Sequence, residues 1–285
     1  MMEKLDWRIV ATEQAGPRIV MIDGRPGAGT DFIWDWNPAE DPGIAAKDLE
    51  SFGYVSECKP REDGRTVLVA ASCGAFASVD VPSRRVRWYG YAGENPHSID
   101  VLPDGRVAVV SSTGNKLTIT DVSEHPFEPE LQPQVRALEI EGGHGVHWDA
   151  ARNCLWALGY YRLYKLAYDS TAMAVSVVAT YDYTEVCRNA GGHDLLPDGQ
   201  GGYYLTNGAM VFHFDPETEA FSPARLVRNV KAFSPSASRG DLYTIPNESW
   251  WTDRLIVRDA SGNERVIGPF RNPMFYKARW FVNEV

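Results

Sequence analysis

Basic residues and sulfur are both scarce in this chain. Of 285 residues, 28 are Lys or Arg against 38 Asp or Glu, which gives a formal charge of −10 and a pI near 5.1. Such a surface repels polyphosphates and anionic lipid, so nucleic acid and membrane are not expected partners. The four cysteines (Cys58, Cys73, Cys154 and Cys187) lie far apart with no CxxC pair. Cys58, Cys73 and Cys154 sit in strand-like apolar contexts, so the expectation is buried, reduced thiols rather than a disulfide framework or a zinc knuckle. No segment approaches the roughly 18 apolar residues that cross a bilayer, and Met1 to Trp7 lacks the apolar core of a secretory leader. The expected location is cytoplasmic. A Gly-rich phosphate loop, a GxSxG elbow and a basic aromatic strip are also missing, which sets aside nucleotide-dependent and nucleic-acid functions.

What the chain does have is apolar and repetitive. It is 44% hydrophobic and 12% aromatic, ample for a large core. An aspartate ends a short alternating strand and opens a turn six times, at Asp23, Asp80, Asp121, Asp169, Asp215 and Asp259. The spacings are 57, 41, 48, 46 and 44 residues, close to the roughly 40–50 residues of a four-stranded propeller blade. Aspartate suits the place because its short side chain bonds backbone amides two residues on. Within a repeat, four short strands alternate with turn signals, as in His97 to Leu102, Arg106 to Ser111, Lys116 to Val122 and Val135 to Ile140. The fifth repeat is expected to end on a strand near Arg225 to Val227.

The first repeat lacks an innermost strand, and a spare strand, Phe275 to Val282, follows the last one. The fold class is therefore all-β: a six-bladed β-propeller of four-stranded blades, its ring closed by the C-terminal strand completing the N-terminal blade. One domain is expected over residues 1–285, with blade 1 split between 7–36 and 275–282. Residues 37–52 form an insertion with a short helical turn near Ala39 to Leu49.

Three histidines recur in register. Ten residues separate His97 from Val107, His144 from Cys154 and His193 from Tyr203, so each opens the innermost strand of its blade and faces one mouth of the central channel. A repeat can copy a structurally useful histidine, but the other blades do not keep it. Three neighbouring imidazoles with open positions are what a catalytic zinc, manganese or iron ion uses, so His97, His144 and His193 are the expected ligands of a divalent metal.

The same alignment brings Ser56 or Glu57, Lys231, and Met274 to Tyr276 to the mouth. Glu57 is a candidate fourth ligand or general base, while Lys231 and Tyr276 are candidates for holding a carboxylate or moving a proton; Lys277 is placed with the substrate. Trp250 and Trp251, in a loop interrupting the sixth repeat, are candidates for stacking on a sugar ring. His147 should face away from His144 and pack. His125, in a turn-rich loop, and His213, in an outer strand, are expected to be structural or solvent-facing.

The strings Asn95-Pro96-His97-Ser98-Ile99-Asp100, Gly143-His144-Gly145-Val146-His147-Trp148-Asp149, Gly192-His193-Asp194-Leu195 and Val230-Lys231-Ala232-Phe233-Ser234 resemble a bacterial family of six-bladed propellers of unknown function. More loosely, the chain is similar to streptogramin lyases and oligogalacturonate lyases. That resemblance implies channel-mouth histidines, a divalent metal and an elimination reaction. The calcium lactonases of the senescence-marker type share the architecture but use Glu, Asn and Asp ligands, a pattern the histidines depart from. The expected function is thus a metal-dependent lyase or hydrolase acting on a small carbohydrate or uronate. A propeller that binds a glycan or protein without catalysis is the alternative.

Overall fold

The computed structural model describes residues 6–61, 63–122 and 136–282. His125 and Val135, named above, fall outside them. Six four-stranded antiparallel sheets are arranged as blades in a ring. The innermost strands are Phe275–Trp280, Val55–Pro60, Pro96–Val101, Gly145–Asp149, Asp194–Pro197 and Ala232–Ser234 for blades 1 to 6. Blade 1 pairs Phe275–Trp280 with Arg8–Glu13, in the register Ile9 to Trp280 and Val10 to Arg279. The ring is therefore closed by strands from the two ends of the chain. Arg239 reinforces the closure by donating to the carbonyls of Asp6 and Val282, each at 2.7 Å.

Second strands are apolar on both faces because each blade is sandwiched between two others. In Cys154–Leu158, Cys154, Trp156 and Leu158 pack with Leu195 and Leu205 of blade 5. Leu155 and Ala157 pack with Val110 and Leu117 of blade 3. The aspartate markers act as expected: Asp23, Asp169, Asp215 and Asp259 each accept the N–H of the residue two further on.

Two expectations are corrected. The outer strand of blade 5 is Ala220–Arg225, not 225–227, because the chain turns back early at Glu219 in the left-handed region (φ 53). Cys73 is exposed, in the turn after Thr66–Ala71, whereas Cys58 and Cys154 are buried. Its strand-like neighbours end one turn sooner than their composition suggests. The insertion forms two 3₁₀ segments, Pro38–Glu40 and Ala46–Phe52. Among the described residues no helix is long and apolar enough to cross a membrane.

Candidate functional site at one mouth of the channel

Each crossing from one blade to the next ends in a left-handed residue two positions before the channel. Tyr54, Asn95, Gly142, Gly191 and Asn229 have φ of 54°, 64°, 58°, 82° and 59°, and the residues two further on are Ser56, His97, His144, His193 and Lys231. Asn and Gly dominate because they adopt this conformation at least cost. In blades 1 to 3 the ladder then skips a residue. The pairs run Val55 to Ala71 then Glu57 to Ala70, Pro96 to Ser111 then Ser98 to Val110, and Ala11 to Ala278 then Glu13 to Phe275. Such bulges re-aim side chains, so the neighbours Tyr276 and Lys277 both reach the axis.

The upper layer is an arc running Tyr276, His97, His144, His193, Lys231. Tyr276 and His97 have ring centroids 5.4 Å apart; His97 and His144 stack at 4.4 Å and 24°; His144 and His193 meet edge-on at 5.4 Å and 77°. Lys231 Nζ lies 2.9 Å from His193 Nε2. Burial keeps all three imidazoles neutral, helped at His97 by His144 and Lys277 and at His193 by Lys231. It pushes His144 down to about 4 and holds the other two well below their usual range. Burial also lowers Lys231, to about 8, which leaves it an ammonium at neutral pH.

The hydrogen bonds then assign the protons. His144 Nδ1 donates to the Gly142 carbonyl at 2.8 Å, so its Nε2 carries a lone pair. His193 Nε2 accepts from Lys231, which puts its proton on Nδ1. The Nδ1 atoms of His97 and His193 are buried and have no hydrogen-bond partner among the described residues.

Directly beneath lies a floor of four charges, each side chain at most 2% exposed: Glu57, Asp194, Lys277 and Arg279. Lys277 Nζ is 3.0 Å from Glu57 and 3.3 Å from Asp194, and it donates to the His97 carbonyl at 3.1 Å. Arg279 forks onto Asp194 at 2.6 Å twice and reaches Glu57 at 3.1 Å. Burial works against ionised carboxyls, but Lys277 and Arg279 outweigh it at Glu57, which is lowered. At Asp194 Arg279 and Lys277 do the same and hold it at about 2. The floor's charges cancel, as buried ions require.

The structure thus brings together His97, His144, His193, Lys231 and Tyr276, and it places Glu57 and Lys277 one layer lower. Both oxygens of Glu57 are already engaged, and Lys277 is sealed from solvent. Strand alternation predicts only one of each adjacent pair at the axis; the bulges supply the second. As for a metal, the rings converge, but Lys231 covers one nitrogen of His193. Among the described residues no group of three or more His, Cys, Asp or Glu is arranged to hold an ion.

Aromatic rings stand on the rim. Thr252 bridges to Phe275, and Trp250 Nε1 donates to Gln14 at 3.0 Å, so the Trp250–Trp251 loop lies beside Tyr276, with Trp250 exposed and Trp251 half-buried. Opposite it, Tyr160 is exposed; a Cβ added at Gly142 would strike its Cβ, and its carbonyl accepts from Gly191. Tyr160 escaped the reading of the sequence. The usable signal was its place between the second and third strands of blade 4, since those loops share an end with the starts of innermost strands.

These features define a six-bladed propeller whose channel is plugged by paired charges, with a polar cup at one mouth. The chain belongs to a family of unknown function, DUF6528, whose pattern it matches over residues 1–285. No curated protein matches it. Among solved structures it is similar to a protein of unknown function from Bacteroides caccae, at 10% identity over 96% of this chain and 98% of that one, with a TM-score of 0.64. It is similar also to the β-propeller domain of Cps50 (Swd1) from Myceliophteria thermophila, at 11% identity over 95% and 88%, with a TM-score of 0.55. A likeness to Kuenenia stuttgartiensis hydrazine synthase has 11% identity over 75% of this chain, which spans 64% of that one, and a TM-score of 0.49. At these identities the likeness to the first two shows the fold alone.

Proposed function

We propose that the cup binds a small carboxylate-bearing molecule of the sugar-acid class and that the protein is a lyase acting beside that carboxylate. The observation that carries this reading is Lys231, an ammonium that meets His193 and, among the described residues, no carboxylate, above a floor whose charges cancel. A ligand carboxylate supplies the missing anion and also accepts from the orphan N–H of His193. His144 Nε2 is the free lone pair and takes the proton from the carbon next to the carboxylate as the C–C double bond forms. The oxygen leaving the neighbouring carbon receives the Tyr276 hydroxyl proton. Burial raises Tyr276, so that proton is in place at every physiological pH. Trp250 and Tyr160 offer flat faces to the sugar ring. The free thiols at Cys58 and Cys154 suit a reducing compartment such as the cytoplasm.

A second reading keeps the divalent ion. It is favoured by the bond from His144 Nδ1 to a carbonyl, the support a metal-bound imidazole usually has. Manganese, zinc or iron held by His97, His144 and His193 would supply Lewis-acid polarisation of the carboxylate, and it requires Lys231 to release His193.

Calorimetry with galacturonate and an oligogalacturonate, with and without added metal, tests both readings. Binding without metal, weakened at least tenfold in Lys231→Met, and growth of ultraviolet absorbance from an unsaturated product are expected. A Lys231→Met variant that binds as tightly as the parent sinks the carboxylate assignment. Binding without product makes the protein a non-catalytic receptor. Binding that appears only with metal selects the second reading.

A further inference from the structure

The floor separates the histidine cup from the other end of the channel, where His147 stands. Asp100 is buried beneath it, with Oδ2 accepting from His147 Nδ1 at 3.1 Å and from the Trp148 N–H at 3.0 Å. Its Oδ1 accepts from the Val101 N–H at 2.9 Å and from Arg61 at 3.3 Å. A carboxylate so supplied with donors is ionised, and it fixes the His147 proton on Nδ1. Nε2 is the other ring nitrogen, and among the described residues it makes no hydrogen bond.

His147 is one wall of a cleft of about 1000 Å³ that runs outward between blades 5 and 6, past Tyr204 and Arg225 to Arg258. The charged groups of this cleft are already partnered. Arg225 pairs with Asp241 at 2.6 Å, and Arg258 pairs with Glu264. Asp198 accepts from His213 at 2.7 Å and from two backbone amides, and Asp259 is spent on its own turn. Two arginines face three aspartates, so the lining does not attract an anion, and no carboxylate is left over to hold a cation. Without a partner among the described residues are His147 Nε2, the Tyr204 hydroxyl, the Gln200 side-chain amide and the buried Arg258 Nε–H.

We propose that this cleft is a second ligand site, distinct from the histidine cup, for a neutral polyhydroxylated molecule such as a short oligosaccharide. His147 Nε2 hydrogen-bonds one ligand hydroxyl, which can donate or accept, and the Tyr204 hydroxyl donates to another ligand oxygen. Planar carboxylate and guanidinium edges along the cleft, held by their ion pairs, present further fixed lone pairs and N–H groups to hydroxyls without net charge. The sequence has His147 facing away from His144 and packing; the structure sets it against the buried Asp100, with its ring on the wall of the cleft.

The test is a titration of the full chain with maltotriose, cellotriose and xylotriose, followed by the ring signals of His147 in heteronuclear NMR. At least one trisaccharide is expected to shift those signals, with affinity reduced tenfold or more in Tyr204→Phe and in His147→Gln, which keeps a donor for Asp100. Lys231→Met is expected to leave this binding unchanged, which separates it from the cup. The proposal is overturned if no trisaccharide moves the His147 signals at millimolar concentration, if both variants bind like the parent, or if galacturonate shifts those signals more strongly than the neutral sugars do.

Discussion

The imidazoles of the cup are neutral because they are buried, and that has a measurable cost in acid. Below about pH 6.5 the unfolded chain protonates its histidines, whereas folded His144 holds out to about 4. The unfolded state therefore binds more protons across this window, and stability falls as pH drops through it. Thermal denaturation is expected to show a melting temperature that declines from pH 7 to pH 5, and His144→Gln should flatten the decline. Lys231 works in the opposite window. Its ammonium is lost as pH rises through about 8, so affinity for galacturonate is expected to fall about tenfold per pH unit above that point, read by calorimetry from pH 6 to 10.

At the level of strands and turns, the cup depends on backbone more than on side chains. Gly142 is left-handed, its carbonyl fixes the His144 tautomer, and a Cβ there would lie 2.9 Å from Tyr160. Gly142→Ala combines a strained φ with that clash, and chemical denaturation is expected to show a loss of about 1–2 kcal/mol. The histidine register was legible because repeats preserve spacing. The bulges were not, since pairing one strand residue against two leaves no mark in composition. Alternation alone brings Glu57 to the mouth as a fourth ligand or general base and Lys277 as a substrate contact; the structure places both in the floor.

For the whole molecule, the floor welds three blades at the axis: blade 1 through Lys277 and Arg279, blade 2 through Glu57 and blade 5 through Asp194. Removing one charge strands its partners in an apolar setting. Arg279→Met is expected to cost about 3–5 kcal/mol in urea denaturation. The combined variant Glu57→Gln/Asp194→Asn/Lys277→Met/Arg279→Met should recover much of that loss, because no unpaired ion remains. A full set of changes no more stable than the single one would show that the floor is held by packing rather than by charge balance.

The sequence alone determined the all-β class, the six repeats, the closing strand and three histidines at one end, since each is a periodic feature carried by local turn chemistry and alternation. Tertiary structure decided which charges cancel, which nitrogen bears each proton and which groups are left unsatisfied. Those properties arise between residues as far apart as Glu57 and Arg279, whose meeting depends on the ring closing and has no local signature.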